Sequence, residues 1–273
     1  MNNNSPVVSV IMPCYNQEKY VREALMSVQG QTFSDFECIV INDGSTDDSL
    51  KEIQDFCKED SRFIYYDKKN EGVSVARNYG IARSHGQFIL PLDADDKIAA
   101  NYLQETIAIM KDHPETKLVY TGTRYFGEMN RHYDLPAYDF ELLLCRNHIV
   151  CTALYKRADF DKTGGYNPNM DKGYEDWDFW LSFLSPEDKV YQIHQDLFFY
   201  RIKRKSRNVN AKTNFSLLRR QIWQNHRELY ASHFVDPAKC EEYRLLSCSM
   251  EYRLGKVLLY PIRRFLSVIN SIR

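Results

Sequence analysis

Short apolar runs, separated by stretches of helical periodicity, fill the first 120 residues. "VVSVIM" (7–12), "ECIVIND" (37–43), "RFIYYD" (62–67) and "QFILPL" (87–92) are rich in β-branched and aromatic residues, the pattern of strands. Between them lie "QEKYVREALMSVQGQ", "STDDSLKEIQDFCKE" and "GVSVARNYGIARS", with "AANYLQETIAIMKDH" after the fourth run. Each repeats apolar positions at helical spacing, and the second opens on a Ser/Thr/Asp start signal. Near-continuous apolar strands alternating with amphipathic helices predict an α/β fold, a mostly parallel sheet with helices on both faces. Ligands of such sheets gather beyond the carboxyl ends of the strands. "PCYNQE", "NDGSTD" and "DADD" fall at those ends.

The alternation fades over residues 121–200, where "TGGYN" and "GYEDWDFW" predict loops and short elements closing over a site. From Arg201 to Arg227 there are nine Lys/Arg and no Asp or Glu. The remainder reads helical: "NFSLLRRQIWQNHRELYASHF", then "PAKCEEYRLLSCSMEYRLGKVLLY", then "PIRRFLSVINSIR" after a break expected at Pro261. This divides the chain into a catalytic-type domain, 1–205, and a C-terminal helical extension, 206–273.

Composition adds little to that picture. The chain has 273 residues, 44% hydrophobic and 27% charged, as ordinary globular proteins do. A net charge of −1 supplies no global field to recruit nucleic acid, so no nucleic-acid partner is expected. Residues 1–6 are too polar for a signal peptide, and no apolar run approaches the ~20 residues of a membrane span. Seven cysteines without a CxxC pair read as reduced core residues of a cytoplasmic protein, not as zinc ligands.

Candidate chemistry concentrates in "FILPLDADDK" (88–97), where Asp93, Asp95 and Asp96 crowd into four positions. Such carboxylates repel unless a cation, water or hydrogen-bond donors neutralise them. Side chains two apart on an extended segment point the same way, so Asp93 and Asp95 can converge on one Mg2+, while Asp96 reads as a cap of the next helix. There is no GxxxxGK[ST], and no GxGxxG follows the first strand, which excludes the familiar phosphate loops. Asp43 at a strand tip offers an acceptor for a base N–H, and Tyr15 a face for stacking. Arg77 reads either as a satisfied arginine or as a nucleotide contact. In "GGYNPNMDKGYEDWDFWLSF", Glu175 and Asp178 suit a helix N-terminus, Trp177 and Trp180 fit core spacing, and Asp176 suits a base.

Four ordered signatures together resemble glycosyltransferase family 2, inverting enzymes of the GT-A fold, over about residues 7–205. They are "VSVIMPCYNQEKYVREALMSVQGQT", "IVINDGSTDDS", "NEGVSVARNYGIARSHGQFILPLDADD" and "GGYNPNMDKGYEDWDFWLSF". The resemblance implies that Pro13, Tyr15, Asn16 and Glu18 form the nucleoside loop, with Asp43 reading the base and Arg77 at the nucleotide. It assigns Asp95 to a Mg2+ or Mn2+ that carries the donor diphosphate, with Asp93 reaching ribose or metal. Asp176 becomes the general base, with Glu175 and Trp177 beside the acceptor. One departure is visible: where many relatives have a histidine shortly after "YR", this chain has Lys203.

The implied activity is sugar transfer with inversion from a nucleotide-diphosphate donor, UDP by resemblance, to a hydroxyl of a glycan or polyprenyl-diphosphate-linked acceptor in surface-polysaccharide synthesis. The basic, amphipathic segment 201–273 implies contact with the inner membrane face. The alternatives are a haloacid-dehalogenase-like phosphohydrolase, a nucleotidyltransferase and a non-catalytic sugar-nucleotide binding module. The first normally ends its first strand, not its fourth, in DxD, and the second opens on a Gly-rich basic loop absent from residues 7–30.

Overall fold

The structure, a computed structural model, describes residues 5–203 and 214–270, apart from the side chains of residues 263 and 265–270. The expected boundary at 205/206 and the basic residues Arg204, Lys205, Arg207 and Lys212 lie outside the described residues.

The first half follows the expected alternation: β1 (Val8–Cys14), α1 (Val21–Gln29), β2 (Phe36–Asp43), α2 (Ser49–Glu59), β3 (Phe63–Lys68), α3 (Val73–Ile81), β4 (Phe88–Pro91). Then come β5 (Lys97–Ile98), α4 (Tyr102–Asp112), β6 (Thr116–Gly127), β7 (Arg131–Tyr133), α5 (Phe140–Cys145), β8 (Ala153–Lys156), α6 (Arg157–Phe160), α7 (Glu175–Phe183) and β9 (Lys189–Ile202). Among the described residues there follow α8 (Phe215–Asn225), α9 (Arg227–Ser232), α10 (Glu241–Cys248) and α11 (Met250–Asn270).

The sheet runs β3-β2-β1-β4-β8-β6-β9-β5, with β7 paired to β6. β3, β2, β1 and β4 are mutually parallel, whereas β8 pairs antiparallel with both β4 and β6. The two-residue period of the strands sorts side chains between two cores. Val8, Val10, Met12, Cys38 and Val40 pack with α1, α2 and α4 on one face. Ile11, Ile39 and Ile41 pack on the other with α3, α5, α7 and α8. On that second face Tyr155, Phe179, Trp180 and Phe183 form an aromatic cluster of tilted and edge contacts with one stacked pair, Phe179–Phe183.

Several expectations are corrected. Residues 121–200 contain two long strands, β6 and β9, paired parallel across shifts at Thr121/Gly122 and Gly122/Thr123. A Cβ at Gly122 would lie 2.7 Å from the carbonyl oxygens of His194 and Gln195, so the strands approach there only because the residue is glycine. The helix expected to break at Pro261 continues through it, since one missing N–H on a solvent-facing helix is tolerated when little packs against the kink. Asp96 caps no helix; α4 begins at Tyr102 behind Asn101. All seven cysteines are free thiols. Among the described residues no helix is long and apolar enough to cross a membrane.

At the foot of the sheet, away from the acidic strand tips, a buried polar knot ties β1 to β4. Gly86 N–H donates to Ser9 Oγ at 2.7 Å, Ser9 Oγ donates to Glu37 Oε1 at 2.7 Å, and Arg157 Nε donates to the Gly86 carbonyl at 2.6 Å. A Cβ on Gly86 would meet Ser9 N at 2.4 Å and Val8 C at 2.6 Å, both backbone atoms. Gly86→Ala is therefore expected to lower unfolding free energy by about 1–3 kcal/mol in urea titration, the usual cost of overpacking. An unchanged midpoint would show that the foot of the sheet yields.

Candidate active site

The parallel register brings the carboxyl ends of β1, β2 and β4 to one edge: Cys14 lies opposite Asn42, and Ile11 opposite Pro91. After β1, Asn16 takes a left-handed φ of 54° and its Oδ1 accepts from Thr46 N at 2.8 Å. Gln17 N donates to Ser49 Oγ at 2.7 Å, and Glu18 Oε2 accepts from Asp48 N at 3.1 Å. Asn16 and Glu18 thus splice the β1–α1 loop to the β2–α2 loop. Pro13 is buried in β1, while Tyr15 stays 48% exposed beside that splice with its ring open to a ligand.

Asp43 is buried at the tip of β2, in register with Lys68. Its Oδ1 accepts from Lys68 Nζ at 2.7 Å and Glu71 N at 3.1 Å, and its Oδ2 from Gly72 N at 2.9 Å. Each oxygen has two lone pairs, so Oδ2 retains capacity for one further donor.

The acidic cluster is a turn, not the extended segment expected, because Asp96 N donates to the Asp93 carbonyl at 3.0 Å. The i, i+2 argument for Asp93 and Asp95 therefore fails, yet the turn still crowds the carboxylates. Asp96 is fully buried: Oδ1 accepts from Arg201 N at 2.7 Å, and Oδ2 finds no hydrogen-bond partner among the described residues. Burial, then the charges of Asp95 and Asp93, push the Asp96 carboxyl well above the usual carboxylate range. Asp95 is also pushed up by burial, against the nearby Lys203 ammonium, which pulls it down, and with Asp93 raising it. Lys203 is ion-paired with Asp95 Oδ2.

The oxygens of Asp93 and Asp96 and the sulfur of Cys151 all lie within 4.8 Å of one another. Burial and the Asp93 charge hold Cys151 as a neutral thiol, so the anionic donors here are carboxylates alone. An oxygen set with surplus negative charge and an orphaned buried oxygen fits a hard divalent cation.

Arg77 joins this turn to α7. Its side chain is 1% exposed; Nη2 donates to Asp93 Oδ1 at 2.7 Å and Nη1 to Glu175 Oε1 at 3.2 Å. Burial opposes its charge, but Asp93 and Glu175 outweigh that and keep the guanidinium protonated. Each terminal nitrogen of Arg77 thus makes one bond within the protein, its Nε finds no partner among the described residues, and its face lies 5.2 Å from the Tyr166 ring. Glu175 is buried behind the arginine. Trp177 is buried as well, its Nε1 donating to the Leu143 carbonyl at 2.7 Å, so its ring is not available to an acceptor.

Asp176 is half-buried at the start of α7, near enough to Cys151 for its charge, like those of Asp93 and Asp96, to disfavour the thiolate. Its Oδ2 accepts from Asn147 Nδ2 at 2.9 Å and its Oδ1 from Trp177 N at 2.8 Å. Burial and the Glu175 charge raise its pKa to about 6, with Arg77, Trp177 N and Asn147 pulling the other way. Asn147, itself held by Ile149 N at 3.2 Å from its Oδ1, went unnoticed in the sequence, where a lone Asn in "CRNHIV" carries no spacing signal. Lys68 escaped for a similar reason, although its place at the end of a strand next to β2 offered a hint.

A surface cleft of about 330 Å³ lies between Asp171–Lys172 and Leu217, Arg220, Gln221 and Gln224 of α8, away from the acidic turn.

The glycosyl transferase family 2 profile matches residues 9–170. TuaG of Bacillus subtilis, whose name assigns it to teichuronic acid biosynthesis, is 28% identical over 245 residues, covering 88% of this chain and 95% of TuaG. The structure of Staphylococcus aureus TarS 1–349 in complex with UDP-GlcNAc superposes with a TM-score of 0.65 at 20% identity, covering 80% of this chain and 66% of that one. The mannosyltransferase PcManGT of Pyrobaculum calidifontis, in complex with GDP-Man and Mn2+, gives 0.63 at 17% identity, covering 86% and 67%. These two carry the fold, which is that of GT-A glycosyltransferases. Other relatives are far longer: the chain spans 16% of a Rickettsia bellii glycosyltransferase to which it is 44% identical over 118 residues.

Arg77→Met leaves Asp93 and Glu175 without their shared buried cation. Removing one partner of a buried pair costs about 3–5 kcal/mol, so a comparable loss is expected in chemical denaturation. A loss below about 1 kcal/mol would show that water replaces the guanidinium there.

Proposed function

This chain belongs to glycosyl transferase family 2, and on that premise we propose that it moves a sugar, with inversion, from a nucleotide-diphosphate donor to an acceptor hydroxyl in surface-polysaccharide synthesis. The observation that carries this reading is the Arg77 bridge, which holds the acidic turn and the α7 carboxylates at one place. A non-catalytic binding module has no use for a carboxyl tuned to about 6 beside the acidic turn.

In this reading Tyr15 stacks on the base and Asp43, fixed by Lys68 and two backbone N–H groups, accepts a base N–H through Oδ2. Asp95, with Asp93 and the orphaned Asp96 oxygen of the same turn, would hold Mg2+ or Mn2+, which when bound would supply a Lewis acid for the departing diphosphate. Asp176 takes the proton of the acceptor hydroxyl; that oxygen bonds to the anomeric carbon as the bond from carbon to diphosphate oxygen breaks. Asn147 orients the base by donating to Oδ2. UDP is the nucleotide favoured by the motifs.

Asp176→Asn is expected to lower turnover by about 10²-fold or more, the contribution of a general base, while nucleotide binding persists. Wild-type turnover should fall as pH drops below about 6, where Asp176 takes up its proton. A raised carboxyl pKa favours the fold below the unfolded value near 3.8, and that contribution is lost as pH rises through about 6. The same substitution should therefore raise Tm at pH 8 and leave it unchanged near pH 4. Near-normal turnover in the variant removes Asp176 from the role.

The acceptor in this reading is a glycan or a polyprenyl-diphosphate-linked sugar presented at the cytoplasmic membrane face. α11 supports that placement: Leu254, Val257, Leu258 and Ile262 are 56–70% exposed along one helical stripe, with Arg253 and Lys256 off it. Such a helix suits the interface of an anionic bilayer. Flotation with phosphatidylglycerol-containing vesicles should carry the protein up, and Leu254→Glu with Leu258→Glu should abolish this. Equal flotation of both proteins excludes the stripe as the contact.

A further inference from the structure

The acidic turn already holds a cation of its own. Lys203, the residue after β9, places Nζ on Asp95 Oδ2, donates to Gln17 Oε1 at 3.1 Å, and lies 5.0 Å from the Tyr20 ring centroid. Its position follows from the backbone. Arg201 N donates to Asp96 Oδ1 at 2.7 Å and Arg201 Nε to the Asp95 carbonyl at 2.7 Å, so the end of β9 is fastened to the turn two residues earlier. The Lys203 side chain is 18% exposed, which sets it apart from a freely solvated surface lysine.

The two basic side chains at this end of β9 differ in freedom. Arg201 is committed twice, to the turn and to Glu23, with its face over Phe126. Lys203 is tethered by one carboxylate and one neutral amide, and its flexible stem with three rotatable donors can re-aim the ammonium within reach of the turn. A divalent ion taken up by Asp95 cannot share that oxygen with an ammonium at contact distance, because the charges repel.

We propose that Lys203 is a resident counter-cation: it occupies Asp95 until metal and donor arrive together, is displaced from that carboxylate by the metal, and turns its ammonium onto the donor diphosphate. This rests on the proposed donor site and assigns it a residue and an order of binding. Metal alone must displace the ammonium with nothing offered in return. Metal arriving with a nucleoside diphosphate gives Lys203 a new anionic partner, so the two ligands bind cooperatively, and reciprocally so.

Calorimetry on the intact chain tests this, with Mn2+ alone and then with UDP or GDP in saturating Mn2+. Lys203→Met is expected to bind Mn2+ alone about 10-fold more tightly than wild type, and the nucleotide about 10-fold more weakly, within the usual range of coupling between sites. Lys203→Arg should keep the nucleotide affinity within a few-fold. A residue that merely braces the fold would weaken both ligands together, so opposite signs are the signature sought. Thermal melting of each variant confirms that the fold is intact. Equal Mn2+ affinity in wild type and Lys203→Met overturns the role of Lys203 and leaves the donor site standing. Absence of Mn2+-dependent nucleotide binding in every protein overturns the donor site and this inference together.

Discussion

One buried guanidinium holds the candidate site together. Arg77 reaches from α3 to the turn after β4 and to the start of α7, elements that are 16 and 98 residues away in sequence. Burying a lone arginine is prohibitive, and burying Glu175 without a cation is costly too, while Asp93 stays partly exposed on the other side of the guanidinium. Each makes the others tolerable. The planar fork adds direction, since Nη1 and Nη2 reach two different carboxylates at a fixed angle and so fix where α7 begins relative to the acidic turn. Asp176, the residue after Glu175, inherits its place from that constraint.

Electrostatic crowding is the consequence. Asp95, Asp96 and Asp176 all sit where burial works against ionisation, and all three are pushed upward in pKa. Acidic residues at a helix N-terminus normally gain from the dipole. For Asp176 that gain is overridden by burial and by Glu175 next to it. A fold selected for stability alone would relax such an arrangement. Together with the orphaned Asp96 oxygen it leaves the turn with surplus negative charge, of which the Lys203 ammonium offsets part.

The sequence was most readable where one physical rule acts alone. β1 and β2 alternate between two cores at the strand period, and their polar tips mark the ligand edge, so the parallel half of the sheet and the position of Asp43 and Asp95 followed directly. β6 and β9 were missed because their register shifts at Thr121/Gly122 and Gly122/Thr123 break the alternation that identifies strands. Arg77 was visible as a residue of interest, but not its partner: Glu175 is distant in sequence and identical in appearance to any helix-start acid. Asn147 had no signature, because a side chain that orients a base through one hydrogen bond needs neither periodicity nor a fixed spacing. The turn at Asp93–Asp96 was read as extended because apolar strand character runs up to Leu92, whereas Asp96 is pulled back by the N–H of Arg201.

α7 is gripped from its other side as well. Asp178, 1% exposed, accepts from Asn225 Nδ2 at 2.7 Å and lies 3.0 Å from His226 Nε2 at the end of α8. Leu218 and Ile222 of α8 are fully buried in the core that contains Trp177 and Trp180, and Arg219 lies over the Trp177 ring at 4.6 Å. The helix that carries Asp176 is therefore fixed by Arg77 in front and by the C-terminal helices behind, which leaves it little freedom to adapt to different acceptors. On the proposed reading, variation in what is bound falls to exposed surfaces instead: β7 with its flanking residues 128–134, and the exposed faces of the C-terminal helices. In that reading, a firmly held Asp176 and acidic turn with exposed surfaces around them is the division of labour expected when the chemistry is constant and the acceptor is not.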